Sequence, residues 1–267
     1  MVAVLALGLC VQLLVISRLQ YWAAQTRGFD QLRKQLAEGV SPVNQVDGRG
    51  RLLKSGTAVA YLTFPKLGTK QVVFEGTSSE VLMSGPGHLR DTVLPGQAGT
   101  SIIFGRAAAY GAPFGAIHTL HKGDKIVVTS GGGTSTFSVI DVRHAGDPVP
   151  PPITAGSARL TLVTATGLPF IPSGVVRVDA DLVGNAQPDG VVATTSVPSS
   201  EIAMGSDTGN LWVLVLLLQL LVVLAAGSVV LWRKWGHAQT WVVMLPVVLL
   251  TIYYVSGQVI RVLPNLL

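Results

Sequence analysis

Two long uncharged stretches near one end constrain this chain more than any other feature. Residues 211–232 form a run of 22 without a charge and with a single amide, Gln219, and residues 241–260 form a run of 20 interrupted only by Pro246 and Gly257. Crossing the hydrocarbon core of a bilayer takes about 20 apolar residues as a helix, so both runs are expected to be transmembrane helices, over 211–232 and 241–262. The loop between them, 233–240, carries Arg233 and Lys234 and is expected in the cytoplasm, where short basic loops are retained. Trp212, Trp232, Trp235 and Trp241 flank the runs, where interfacial aromatic residues belong.

The charges follow the same division. Every acidic residue lies between Asp30 and Asp207. Of the formal net charge of +5, three charges are Arg233, Lys234 and Arg261, beside the apolar runs; the rest of the chain is almost balanced. A nucleic-acid binder concentrates basic residues on a folded domain, so that class is excluded. Residues 1–17 are apolar and followed at once by Arg18, Tyr21 and Trp22. With no basic residue before Arg18 and no small-residue cleavage site, this segment reads as an uncleaved signal anchor. The single cysteine, Cys10, falls inside it, so no disulfide framework is available.

Between the anchor and the paired spans, residues 18–56 read as a stalk helix followed by a polar, glycine-rich tether. From Thr57 the pattern becomes short alternating apolar runs separated by Gly, Pro and Asp, about seven strands within 57–184. One pair, around Gly131 to Gly133, reads as a hairpin. Residues 185–210 are rich in Ser, Thr, Gly and Pro and are expected to be a flexible linker. The fold class is therefore mainly β, a barrel or sandwich ectodomain with three transmembrane helices, one N-terminal and two C-terminal. An even number of spans after the ectodomain and a cytoplasmic 233–240 loop place it on the extracytoplasmic side of the cell membrane.

Candidate chemistry is sparse. His118, His121 and His144 have no cysteine ligands and no HExxH frame around them, so they read as surface histidines and no metal is expected. Gly131 to Gly133 lacks the lysine and helix start of a phosphate cradle. No cofactor is expected.

Five segments, in order, carry a family likeness between about Tyr61 and Val183: FPKLG (64–68), VVFEGTSSEVLMSGPGHLRDTVLPGQAG (72–99), SIIFGRAAAYGAPFGAIHTLHKGDKIVV (101–128), RLTLVTAT (159–166) and VVRVDADLV (175–183). This stretch resembles the sortases, extracytoplasmic cysteine transpeptidases, and most of all the actinobacterial class E enzymes. The resemblance implies a β-barrel and a mechanism in which a thiolate attacks a sorting-signal peptide, a histidine handles protons, and an arginine stabilises the oxyanion or holds the substrate. Carried over by position, the nucleophile falls on Ala165, the histidine on Arg106 and the arginine on Arg177. Alanine has no nucleophilic atom, and a guanidinium with a pKa above about 12 is not a base at physiological pH.

The expected function is therefore that of a catalytically inactive sortase-like membrane protein, a binding or scaffolding component at the cell envelope. Its implied partners are a sorting-signal-like peptide, an active sortase or another membrane protein. Arg177, Arg106, His88, Thr164 and Thr166 are the candidate groove residues. Arg106 is expected either to join Arg177 in a clamp for a carboxylate or phosphate, or to pair with a local acid or point to solvent. Two alternatives stand beside this reading: a hydrolase or transpeptidase with a displaced nucleophile, for which Thr164 or Thr166 with His88 are the candidates, and a structural envelope protein whose groove is closed by its own linker or stalk.

Overall fold

Alternating apolar residues set the inward face of each strand, and the strands close on themselves. The computed structural model describes residues 2–46, 50–188, 190–194 and 196–267; Met1 of the anchor, residues 47–49 of the tether, and 189 and 195 of the linker lie outside the described residues. Among the described residues the strands are β1 (Ala58–Phe64), β2 (Thr69–Glu75), β3 (Gly87–His88), β4 (Gly99–Phe104), β5 (Lys125–Ser130), β6 (Gly133–Arg143), β7 (Ala158–Leu168) and β8 (Ile171–Leu182). They form a closed barrel in the order β1-β2-β3-β4-β7-β8-β6-β5, with β1 and β5 paired to complete the ring. The β2/β3 and β4/β7 pairs are parallel and the others antiparallel. The extra strand relative to the seven expected is β3, two residues long, too short to leave a periodic trace.

Leu62, Phe64, Ile103, Phe137, Leu160, Leu162 and Val178 fill the barrel, with Phe114 and Ile117 closing one side from the β4–β5 connection. Burying each such side chain contributes roughly 1.5–3 kcal/mol relative to exposure. Gly105 sits where a Cβ would lie 2.4 Å from the Phe114 ring, so the turn after β4 requires its small size. The β5–β6 hairpin turns at Gly131 and Gly132, as the sequence implied.

Three helices are long and apolar enough to cross a membrane, one N-terminal and two C-terminal. The first begins as α1 (Val2–Val11), passes through a π-helical turn (Gln12–Ile16) and continues as α2 (Ser17–Ala37). The short helix α3 (Ser79–Leu82) follows β2, and the paired helices are α4 (Leu211–Trp235) and α5 (His237–Val262).

The expected stalk does not stand free. α2 lies against the barrel, with Leu32 packed among Ala58, Val72, Phe74 and Val81. Gln25 fastens it there: its Nε2 donates to the carbonyls of Val72 and Ser84, and its Oε1 accepts from the Val72 N–H at 2.7 Å. Gly28 allows the approach, because a Cβ at that position would fall 2.7 Å from Phe74 Cζ. The tether is also bound, through Gln97 Nε2 to the Val43 carbonyl and Gln45 Nε2 to the Thr92 carbonyl.

Candidate functional site

On β7, Leu160 and Leu162 belong to the barrel interior, which leaves Arg159, Thr161, Val163 and Ala165 on the outer face. A strand with one solvated face alternates between buried and exposed residues, yet every residue of β7 from Ala158 to Ala165 is buried. Something covers the outer face, and it is the chain itself. Leu266 packs with Leu82, Leu89, Phe104, Val163 and Ala165, and the linker residues Val197, Ala203 and Met204 join the same cluster.

A hydrogen-bonded knot holds this cover in place. Asn265 is fully buried; its Nδ2 donates toward the carbonyls of Thr77 (3.1 Å), Ser200 (3.4 Å) and Ile202 (2.9 Å), and its backbone N–H to Gly205 O (2.8 Å). Thr77 Oγ1 donates to the Glu201 carbonyl at 2.6 Å. The backbone N–H of Ala107 donates to Leu266 O at 2.9 Å and that of Ala109 to Leu267 O at 3.4 Å. Residues 197–205 of the linker thus pack against the barrel, where their composition suggested a flexible connection.

The two positions singled out by resemblance lie side by side. β4 and β7 pair in parallel with Phe104 opposite Val163, and the Gly105 N–H donates to Val163 O, so the same register carried two residues on sets 106 beside 165. Arg106, however, forms no clamp with Arg177, pairs with no Asp or Glu among the described residues, and does not reach solvent. It is fully buried, with Nε to Leu82 O (3.2 Å), Nη2 to Ser79 O (3.1 Å) and Ser79 Oγ (2.8 Å), and Nη1 to Leu267 O (3.3 Å). Its guanidinium carbon sits 5.1 Å from the centroid of the Tyr110 ring. Burial pulls its pKa down to about 10, which leaves it charged at neutral pH. The carbonyl oxygens converging from α3 and from residue 267 replace the water it has lost.

His88, expected at the groove, is instead inside the protein. Its Nδ1 lies 2.9 Å from Glu75 Oε2 and its Nε2 2.8 Å from Val93 O, and both His88 and Glu75 are buried. The parallel β2/β3 register, which sets Glu75 against His88, makes this a structural pair. Thr164 also turns away from the groove, donating to Gly105 O at 2.8 Å. Thr166 borders a cleft of about 260 Å³ with Ala165, His118, Phe170 and Leu267. His118 is exposed in a 3-10 turn, Ile117–Thr119, and among the described residues no group of His, Cys, Asp and Glu is arranged to hold a metal ion.

Arg177 lies elsewhere on the same outer face, opposite Val163 on β8 and beside Arg143 on β6. It lines a larger cleft, of about 540 Å³, roofed by Val197, Ile202 and Ala203. Two further arginines in this cleft are neutralised: Arg143 by Asp179, which also accepts from Thr161 Oγ1, and Arg159 by a two-pronged contact with Asp181. Among the described residues Arg177 has no ion pair or hydrogen bond; Asp91 lines the same cleft, so the formal charges there balance. Arg143, Asp179, Thr77, Asn265 and Leu266 went unnoticed in the sequence. The available hints were an asparagine set among leucines just after the last apolar run, and isolated apolar residues within a Ser/Thr/Gly-rich linker.

Residues 62–173 match the family model of the sortase domain, a stretch running from β1 into β8. No curated protein matches the chain. Among solved structures it is similar to a sortase D5 transpeptidase of Clostridium perfringens, at 21% identity over 61% of this chain and 99% of that one, with a TM-score of 0.50. It is also similar to sortase E1 of Streptomyces coelicolor, solved with a tripeptide in the active site (25% identity, 48% of this chain and 90% of that one, TM-score 0.43). A third is sortase C-1 of Actinomyces oris (28% identity, 48% and 75%, TM-score 0.41). The barrel thus matches the sortase domain model in sequence and resembles sortases in fold, and it is carried on a chain with three candidate membrane spans.

Proposed function

We propose that this sortase-like protein is a catalytically silent component of the cell envelope, in which the groove has become a socket for the chain's own segments. The observation that carries this reading is the seating of Leu266 against Ala165 while Arg106 binds the Leu267 carbonyl. Where the resemblance puts a thiol and a histidine there is a methyl group and a buried cation, and residues 264–267 take the place of a substrate. The only thiol, Cys10, lies in α1. Fastening residues 264–267 to the barrel fixes the α4–α5 hairpin beneath it, which is a scaffolding role. The barrel side is extracytoplasmic in this reading and the loop at Gly236 is cytoplasmic: α4 begins and α5 ends next to the barrel, consistent with an even number of crossings.

A second reading, that the protein also holds a peptide, is favoured by the cleft at Arg177. An Arg177 guanidinium that is half-buried and makes no ion pair, above a floor of Val163, Phe104 and Ile102, suits an extended peptide bearing a carboxylate, with Asp91 in the same lining disfavouring a more acidic one. In that case the socket and the peptide site divide the family's groove between them.

The test uses the full chain in detergent or nanodiscs with a sorting-signal peptide. The native protein is expected to give no cleavage and no acyl adduct. A165C/R106H is expected to remain silent while residues 265–267 are seated, and to form an adduct only when N265A/L266A is added. Turnover by the native chain in the presence of a thiol blocker would overturn the silent assignment. Because R106H also removes the Arg106–Leu267 contact, the socket is judged on A165C alone: maleimide labelling of A165C as fast as that of A165C/N265A/L266A would overturn it.

A further inference from the structure

The feature left without a role is the side of α4 that faces away from α5. Only Leu221 is buried in this helix of 25 residues. Trp212, Gln219 and Ala226 recur every seventh residue along its centre line, and all three are exposed. Val215 and Leu216, and about two turns later Val222 and Val223, flank that line and are exposed as well. A seven-residue repeat is the spacing at which two helices stay in register as they wrap around each other. At the middle of this line stands an amide. Among the described residues Gln219 has no hydrogen-bond partner, in a helix whose most apolar window has a mean hydropathy of 2.8. An amide facing hydrocarbon is left with its donors and acceptor unsatisfied, a costly arrangement that a neighbouring helix relieves.

We propose that this face of α4 docks against α4 of a second copy of the chain, with the two Gln219 side chains hydrogen-bonded to each other across a two-fold axis. A carboxamide has both a donor and an acceptor, so it is its own complement. A second copy inserted in the same sense necessarily presents an identical amide at an identical depth, whereas a different partner would have to supply one there. Ala226, one repeat further, is small enough to let the helices approach. A lone polar residue in an apolar seam fixes register and the number of helices. The inference rests on the reading of α4 as a membrane span, and is independent of whether the groove is silent.

The experiment uses the full chain in native membranes, in a Cys10→Ala background, with oxidative cross-linking of single cysteines. A226C, on the seam, is expected to give a covalent dimer, and L220C, exposed but about 100° around the helix, to give little. Adding Gln219→Leu to A226C is expected to lower the dimer yield at limiting protein about threefold to thirtyfold, and Gln219→Asn to retain most of it. Equal cross-linking of A226C and L220C, or no effect of Gln219→Leu, overturns the paired-amide seam. Cross-linking of A226C only to other proteins overturns the choice of a second copy. Release of the chain by alkaline carbonate overturns the membrane placement itself, a result distinguishable from failure of the seam in a retained chain.

Discussion

Seating of Leu266 is an equilibrium with a size that follows from its contacts. Removing the Asn265 amide strips the buried Thr77 carbonyl, and the more open carbonyls of Ser200 and Ile202, of their donor. A buried acceptor left unsatisfied costs about 1–3 kcal/mol. Taking about 2 kcal/mol as the loss from the seated state, and a factor of ten for each 1.4 kcal/mol, Asn265→Ala multiplies the unseated population about thirtyfold. Leu266 is fully buried when seated, so a cysteine there reports the unseated fraction by its rate of alkylation. In a Cys10→Ala background, L266C is expected to react slowly with a membrane-impermeant maleimide, and N265A/L266C about thirtyfold faster. V149C, at a position 79% exposed, provides the fully accessible limit. If L266C alone reacts at the V149C rate, or if N265A leaves the L266C rate unchanged, the knot does not hold the segment and the socket fails.

Other perturbations have expected outcomes of their own. His88→Ala leaves the Glu75 carboxylate buried without its partner, and thermal or urea unfolding is expected to register a loss of about 3–5 kcal/mol; a loss below about 1 kcal/mol would show that the pair is not structural. Gly28→Ala drives a methyl group into the Phe74 ring, at an expected cost of about 1–3 kcal/mol that shrinks in a Phe74→Leu background; equal costs in both backgrounds would place the clash elsewhere. The Lys66 ammonium, and after it the His121 backbone N–H, hold the Asp124 carboxyl below its ordinary value. Its folded state therefore releases the proton more readily than the unfolded one, and the stabilisation is in place above the unfolded value and lost as the pH falls through the folded one. The pair is exposed, so Asp124→Asn is expected to flatten the acid limb of a stability profile by less than about 1 kcal/mol.

The spans and strands were legible because each rests on a local repeat. Residues 211–232 and 241–260 declare themselves by length and by the absence of charge, and β5 and β6 by alternation about a glycine turn. β7 was legible as a strand, but its double-sided burial was not. Its outer face is covered by residues about 30 to 40 positions away in the linker and about a hundred away beyond α5, a kind of pairing that leaves no period. For the same reason Arg106 read as a surface or clamp residue. A charge is expected to seek acid or water, and only the converging carbonyls of Ser79, Leu82 and Leu267 make a buried guanidinium tolerable. His88 was drawn toward the groove by its neighbours in sequence, yet the parallel β2/β3 register sets it against Glu75, inside the protein. Ala165 and Arg177 fall on one outer face; closure by the linker stood among the alternatives, whereas the part taken by residues 265–267 was not foreseen.

The contact between Thr77 and Asn265 joins residues 188 positions apart. Chains leave the ribosome from the N-terminal end and domains close in that order, so residues 58–182 complete their barrel while α4 and α5 are still being made. Throughout that interval Phe104, Val163 and Ala165 form an uncovered apolar trough. The newborn protein therefore passes through a stage at which a chaperone or a passing peptide can occupy the trough, and that stage ends when Leu266 arrives from the far side of the hairpin.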